Sequence, residues 1–273
     1  MSQDHATTAP VCYRHPDRET FLRCSRCDRP ICASCSIDAT VGQRCPACVG
    51  AEGRQRELNV RRRTGSGASA TKMFLGIAVA LFLLTGMGGG GRGIYQALAQ
   101  TNQAVAAGEW WRLFTPILLH ASLMHIVFNM YALWILGPQI ERGVGTWPFA
   151  AAYLASAGVG GAFFFYLGDP VAPAVGASGA IFGLFGIWFN WAVHRRHTAH
   201  GRYLLQQILI LLLINAAIPF LIPGIAWEAH LGGLIAGFVI GEAWSRIKGQ
   251  DATRTRSLVA AAVGVLAVLS VLV

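Results

Sequence analysis

The chain has 273 residues, 54% hydrophobic and 13% charged, with a formal net charge of +9. A soluble domain of this length carries roughly a quarter charged residues, so the composition excludes a wholly water-soluble enzyme. The charge is uneven: residues 1–72 hold 12 Lys/Arg and 7 Asp/Glu, and the remaining 201 hold 10 and 6. A polar head therefore precedes a large apolar body.

Residues 1–11 are polar and lead into a cysteine cluster. All seven cysteines lie between Cys12 and Cys48. With one histidine they form four close pairs: Cys12-x2-His15, Cys24-x2-Cys27, Cys32-x2-Cys35 and Cys45-x2-Cys48. An x2 spacing lets both side chains turn onto one ion, and eight ligands fill two tetrahedral Zn(II) sites. Thiolate softness selects zinc over hard cations. So short a segment cannot build an adequate core unaided, and bound metal would stabilise it. The competing reading is disulfides, which need an oxidising compartment and leave one cysteine over. Redox chemistry does not need four such pairs in series. Met1 to Val60 holds no apolar core of the length a secretory signal requires. Residues 51–72 are basic, then Gly/Ser-rich, and read as a flexible linker. Arg61, Arg62 and Arg63 would sit beside the first membrane segment, within reach of anionic headgroups.

Seven apolar segments follow, near 73–91, 117–137, 148–167, 177–193, 203–222, 227–245 and 257–273. A spanning helix needs about 20 apolar residues. With the head inside, the inner loops are Gly137–Trp147, His194–Arg202 and Ser245–Arg256. They carry Arg142, Arg195, Arg196, Arg202, Arg246, Lys248, Arg254 and Arg256. The outer loops, near 92–116, 168–176 and 223–226, carry only Arg92 and Arg112. That bias predicts a multi-pass cell-membrane protein with a cytoplasmic N-terminus and an extracytoplasmic C-terminus.

Three polar constellations interrupt the apolar body. His120-x4-His125-x3-Asn129 lies on the second segment, Gly176-x-Ser178-Gly179 opens the fourth, and Ala229-His230-x-Gly232-Gly233 opens the sixth. Polar residues inside membrane segments are expensive and mark functional sites. His125 and Asn129 are four apart on one helix face, and both can donate hydrogen bonds. Such donors suit an oxyanion hole. His120 falls off that face, in the turn after Pro116, as a structural hydrogen-bonder. Ser178 needs a base, and His230 is the best-placed one. Gly179, Gly183 and Gly186 on the fourth segment, with Gly232, Gly233, Gly237 and Gly241 on the sixth, make small faces that let two membrane helices pack closely. Taken singly, the serine is a packing residue and the histidine an interhelical hydrogen-bonder. Glu228 is expected to face the outer surface, so the reading is a Ser–His dyad without a third member.

Together these motifs resemble the rhomboid intramembrane serine proteases, over roughly residues 73–245. Trp111-Arg112, in the loop before His120, matches that family's Trp-Arg feature. The resemblance implies an all-α polytopic membrane protein with a six-helix core, here with a seventh C-terminal helix, that hydrolyses single-span transmembrane substrates within the lipid bilayer. It assigns Ser178 as nucleophile and His230 as base and later acid, with His125, Asn129 and the Ser178 backbone N–H as the oxyanion hole. His120, Gly176, Trp111 and Arg112 take supporting places. Many bacterial members carry Tyr where this chain has Phe182, so stacking on the histidine survives but the hydroxyl is lost. The head's spacing resembles a B-box-type zinc finger, which implies cross-braced zinc pairing and a module that binds a cytosolic protein; sequential pairing stays open. The expected organisation is a zinc-binding domain at 1–50, a linker at 51–72 and a membrane protease domain at 73–273, with no metal in catalysis and no nucleic acid as partner. Two other classes compete: a non-catalytic membrane receptor or chaperone, and a transporter using the histidines as proton relays.

Overall fold

The computed structural model describes residues 9–54, 67–87, 92–221 and 224–273. They divide between two compact units, Met1–Gly65 and Ser66–Val273. In the first unit β1 (Val11–Cys12) pairs antiparallel with β2 (His15–Glu19), and β3 (Ile37–Asp38) with β4 (Gln43–Arg44). A 3₁₀ turn at Ala33–Cys35 lies between the hairpins, and residues 46–54 form helix α1. The fully buried core consists of Cys12, Cys24, Cys32, Cys35 and Cys45 with Ile31. Among the described residues it buries little that is apolar besides Ile31 and thiols, with Tyr13 partly buried against them, so hydrophobic collapse alone cannot hold it. Glu52 on α1 accepts from Arg26 and Arg44, tying the helix back to both flanking segments.

The second unit is helical: α2 (Ser69–Leu84), α3 (Arg92–Leu98), α4 (Asn102–Ala106), α5 (Leu123–Val144), α6 (Thr146–Leu167), α7 (Ser178–His194), α8 (Ala199–Leu221), α9 (Trp227–Arg246) and α10 (Ala252–Leu272). Each of the seven expected segments overlaps one of the helices α2 and α5 to α10. Among the described residues four stretches are long and apolar enough to cross a membrane: Leu123–Val144, Thr146–Leu167, Ala199–Pro219 and Ala252–Leu272. Ser69–Leu84 is a shorter apolar helix.

Several boundaries differ from the sequence reading. The first segment ends as helix at Leu84, and residues 88–91 lie outside the described ones. The second does not begin at 117. Pro116 sits in a 3₁₀ turn, the chain then runs extended, and α5 starts at Leu123 because the Ser122 side chain accepts from the His125 N–H. Gly137–Trp147 is not a loop. The helix continues past Pro138 to Val144 and turns at Gly145, whose φ of +99° suits a residue without Cβ. Of the expected linker, residues 51–54 continue α1 and 69–72 open α2, while 55–66 lie outside the described residues.

The core joins α2, α5, α6, α7 and α9 through Phe74, Leu133, Tyr153, Leu184 and Ile240. α10 packs along α6, and α8 leaves most of its surface open. Glu141 is wholly buried on α5. Its carboxylate accepts from the Ala70 and Thr71 N–H groups at 3.0 and 2.9 Å and from the Thr71 and Thr146 hydroxyls at 2.7 and 2.9 Å. It thus satisfies the free first-turn donors of α2, at the positive end of that helix dipole.

The closest packing is between α7 and α9. A Cβ at Gly233 would overlap the Gly179 carbonyl, and one at Gly237 the Gly183 carbonyl. The two backbones meet directly, which only small faces permit. Gly237→Val is therefore expected to lower the thermal unfolding midpoint in detergent, by overpacking worth about 1–3 kcal/mol or more. Gly143→Val on α5, where a Cβ meets nothing within 4 Å, serves as the control and should leave the midpoint nearly unchanged.

Candidate active site and metal centres

Ser178 is the first residue of α7, and His230 lies in the first turn of α9. The glycine contact between these helices brings their N-terminal ends together. The His230 Nε2 to Ser178 Oγ distance is 2.8 Å. Phe182, one turn below Ser178, stacks on the imidazole with centroids 4.3 Å apart and planes 7° apart. The ring therefore has one face against an aromatic and its edge on the hydroxyl, which restricts its rotation.

His125 reaches the same place from α5. Its Nε2 lies 2.6 Å from where a Cβ on Gly176 would sit, and that Cβ position is 3.7 Å from Ser178 Oγ. Gly176 has φ +126°, so both the backbone conformation and the close imidazole require glycine. The Ala121 N–H donates to His125 Nδ1 at 3.4 Å. A neutral imidazole accepting at Nδ1 carries its proton on Nε2, so His125 presents a donor toward Gly176 and Ser178. Asn129 donates one amide hydrogen to the His125 carbonyl at 2.9 Å and retains a second. The first N–H groups of α7 have no intrahelical partner and supply further donors beside Ser178.

The loop carrying Gly176 is pinned by backbone bonds. Gln100 and Ala174 exchange N–H···O bonds of 3.1 and 2.8 Å, and Gly176 donates to the Pro116 carbonyl at 2.9 Å. Buried Gln100 also donates to the Gly161 carbonyl at 2.7 Å. The sequence reading missed Gln100 and Pro116 as supports, because no local pattern joins such distant positions. Arg112 is buried; it bonds the Gln96 and Ala99 carbonyls at 2.7 and 2.6 Å and Glu109 at 2.7 Å, and so gathers the α3–α4 segment. Trp111 beside it is largely exposed and touches none of the dyad residues through a hydrogen bond.

Two expectations change. Glu228 does not face the outer surface: it is buried in the first turn of α9, where the helix packs on its neighbours. The sequence assigns His120 as a structural hydrogen-bonder. It is buried, yet neither ring nitrogen has a partner among the described residues.

In the first unit the pairs interleave. Cys12, His15, Cys32 and Cys35 form one group, and Cys24, Cys27, Cys45 and Cys48 the other, each with donor atoms within 4.8 Å of one another. His15 Nδ1 lies 3.8, 3.4 and 3.3 Å from the Sγ atoms of Cys12, Cys32 and Cys35. Cys27 and Cys45 Sγ are 3.8 Å apart. Tetrahedral coordination at ordinary Zn–S and Zn–N lengths puts S···S edges near about 3.8 Å and S···N edges near about 3.6 Å, so both donor sets fit a tetrahedral metal ion. The interleaving follows the first-with-third and second-with-fourth order. Ser34 donates to the Cys32 thiolate at 3.1 Å and holds its pKa down to about 5. The Cys45 N–H does the same for Cys24, to about 6. Burial raises Cys35 to about 11, and hydrogen bonding to Cys45 raises Cys48 to about 12. Each group thus joins two thiols pushed toward ionisation, Cys12 and Cys32 or Cys24 and Cys45, with one pushed toward keeping its proton.

The Rhomboid domain family model matches residues 107–247, a span that contains the dyad, the His125–Asn129 pair and the Trp111-Arg112 loop. Rhomboid protease GluP of Bacillus subtilis (strain 168) is 36% identical over 171 residues, covering 62% of this chain and 33% of that protein. YdcA of the same organism, named for the same family, is 40% identical over 140 residues, 51% of this chain and 69% of its own length. RHOMBOID-like protein 5 of Arabidopsis thaliana is 33% identical over 150 residues, 52% of this chain and 47% of that protein. The chain thus spans a third of GluP and about half of the plant relative.

Metal uptake must displace the protons held by Cys35 and Cys48. Metal affinity is therefore expected to rise with pH, by about tenfold per unit for each proton displaced. Competition with a chromophoric chelator at several pH values measures the slope. Cys35→Ser should remove one of the two metal equivalents and leave the other, as read by native mass spectrometry.

Proposed function

The chain belongs to the rhomboid family, and from that membership we propose that it is an intramembrane serine endopeptidase cutting single-span transmembrane proteins. With its family and four apolar spans it is a multi-pass membrane protein. The observation that carries the proposal is the 2.8 Å approach of His230 Nε2 to Ser178 Oγ at the paired ends of α7 and α9. Such a pair, drawn together inside an apolar bundle, has the geometry of an activated nucleophile.

In the proposed reaction Ser178 Oγ attacks the scissile carbonyl carbon while its proton passes to His230 Nε2. The carbonyl oxygen becomes an oxyanion facing His125 Nε2–H, the free Asn129 amide hydrogen and the Ser178 N–H. Collapse breaks the C–N bond, and the leaving amine takes the proton from His230. Water then attacks the Ser178 ester, giving a proton to His230, and the serine oxygen leaves with that proton. Phe182 holds the imidazole plane through both halves without the hydroxyl of a tyrosine.

A bond inside a transmembrane helix is inaccessible until that helix unwinds. Substrate preference should therefore follow local helix instability near the outer membrane boundary, where small or helix-breaking residues lower the cost. The head is proposed as a cytoplasmic domain at residues 1–50, holding two zinc ions by its interleaved clusters and recruiting a cytosolic protein. The stretch between α1 and α2 would join it to the protease domain at 73–273. The loop-charge bias supports a cytoplasmic N-terminus and an extracytoplasmic C-terminus in the cell membrane.

The test is cleavage of a model transmembrane substrate by purified protein in detergent. Ser178→Ala is expected to abolish cleavage, and His230→Ala to abolish both cleavage and labelling of Ser178 by a fluorophosphonate probe. Equal cleavage by wild type and Ser178→Ala would sink the proposal. A truncation that starts near Lys72 should keep cleavage and lose the metal.

A further inference from the structure

The loop that joins α7 to α8 carries positive charge that the chain does not neutralise. No acidic residue lies between Asp169 and Glu228. The six basic side chains of that stretch all fall in His194–Arg202: Arg195, Arg196 and Arg202 with His194, His197 and His200. All six are exposed. His194 meets Glu242 of α9 at 3.4 Å, but that carboxylate also pairs with Arg246 at 2.9 Å. Among the described residues the three arginines have no acidic partner. Arg195 lies over the Trp191 ring, 3.9 Å from its centroid. Arg196 donates to the Val193 carbonyl at 3.0 Å and Arg202 to the His197 carbonyl at 3.2 Å. α8 begins at Ala199, so His200 and Arg202 also stand at the positive end of its dipole.

Where the loop sits selects its partner. α7 runs for 17 residues from Ser178, so the loop lies about 25 Å from the dyad, at the opposite face of the bundle. α8 is apolar, long enough to span a bilayer and largely open along its surface. Trp191 in the last turn of α7 and Tyr203 in the second turn of α8 are both exposed beside the basic residues. Aromatic side chains of this kind settle at headgroup depth. Guanidinium groups just beyond them meet phosphates, and the planar fork of arginine matches a phosphate with paired hydrogen bonds. Stacking on Trp191 holds one fork in place, while Arg196 and Arg202 each commit one nitrogen to a carbonyl and keep their remaining donors. The α9–α10 turn on the same face differs: Arg246 pairs with Glu242, and Asp251 lies between Lys248 and Arg254.

We propose that the His194–Arg202 loop is a binding site for the headgroup phosphates of anionic phospholipids in the leaflet beside it. Fixed positive charges at the end of two membrane helices attract an acidic membrane surface, and each arginine adds to that attraction. A zwitterionic lipid offers its phosphate together with a cationic group, so it binds this loop less well. A soluble phosphate lacks the acyl chains that lie along α8, so it competes poorly. The site requires only that the protein spans the membrane, and it stands whether or not Ser178 is a nucleophile.

Native mass spectrometry of full-length protein in detergent, titrated with phosphatidylglycerol, measures the binding. Wild-type protein is expected to retain phosphatidylglycerol in preference to phosphatidylcholine, and an excess of inorganic phosphate should not displace it. Arg195→Gln, Arg196→Gln and Arg202→Gln in one chain are expected to weaken retention about 100-fold, at roughly fivefold per arginine. Arg142→Gln, Lys248→Gln and Arg254→Gln together remove the same charge from exposed positions elsewhere on that face, and should weaken it by less than about fivefold. An equal loss in both triple variants would show a diffuse effect of charge, and equal retention of the two lipids would show no recognition of the headgroup. Displacement by inorganic phosphate would make the loop a free-anion site, and displacement by a soluble acidic peptide would make it a protein-docking surface. Any of these results overturns the inference. If the first triple variant does not fold, Arg196→Gln and Arg202→Gln are read singly, each with an expected loss of about fivefold. No loss in either overturns the inference as well.

Discussion

The structure depends on two helix backbones touching. α7 and α9 approach so closely that side chains at Gly233 and Gly237 would occupy the space of facing carbonyl oxygens. In lipid there is little hydrophobic gain from joining two apolar helices, so close van der Waals contact between small faces must hold them. That contact fixes where both helices begin. Because Ser178 opens one and His230 lies in the first turn of the other, the same glycines that hold the bundle also set a 2.8 Å Oγ–Nε2 separation. Stability and the proposed chemistry therefore share a single geometric requirement.

Around this contact the bundle meets its polar groups in separate ways. Glu141 is a buried carboxylate with no cation paired to it among the described residues. It is stabilised instead by two backbone N–H groups and two hydroxyls, and it anchors the start of α2 to the end of α5. Arg112 is buried against two carbonyls and Glu109, and it closes the segment before the site. Each of these groups has its local partners fully in place, as a low-dielectric interior demands. The loop before Ser178 is held by backbone pairing with Gln100 and by the Pro116 carbonyl. His120 differs from these in having no partner at either nitrogen among the described residues.

The head follows a different logic. Its core is made of ligand atoms, with Ile31 the single aliphatic residue fully buried among them. Interleaving the pairs means that each donor group joins two stretches of chain with a pair of the other group between them. α1 begins between Cys45 and Cys48, so the second group also sits at the start of that helix. Arg26 and Arg44 hold the helix through Glu52 from outside the cluster.

Much of this was legible in the chain itself, and the residues show why. The four x2 pairs, the apolar segments and the three polar motifs are local patterns, set by ligand reach, bilayer thickness and helical period. They identify Ser178, His230, His125 and Asn129 as residues worth placing together. Element boundaries were less legible. A loop was expected from Gly137, yet α5 runs past Pro138 to Val144, where Glu141 is bonded to the start of α2. Glu228 looked like a surface residue beside the membrane edge and is buried instead. The separation of Ser178 from His230, the hold of Gln100 and Pro116 on the Gly176 loop, and the isolation of His120 were decided only in three dimensions. Each joins residues far apart in sequence, and such contacts are fixed by how whole helices pack rather than by any window of neighbouring residues.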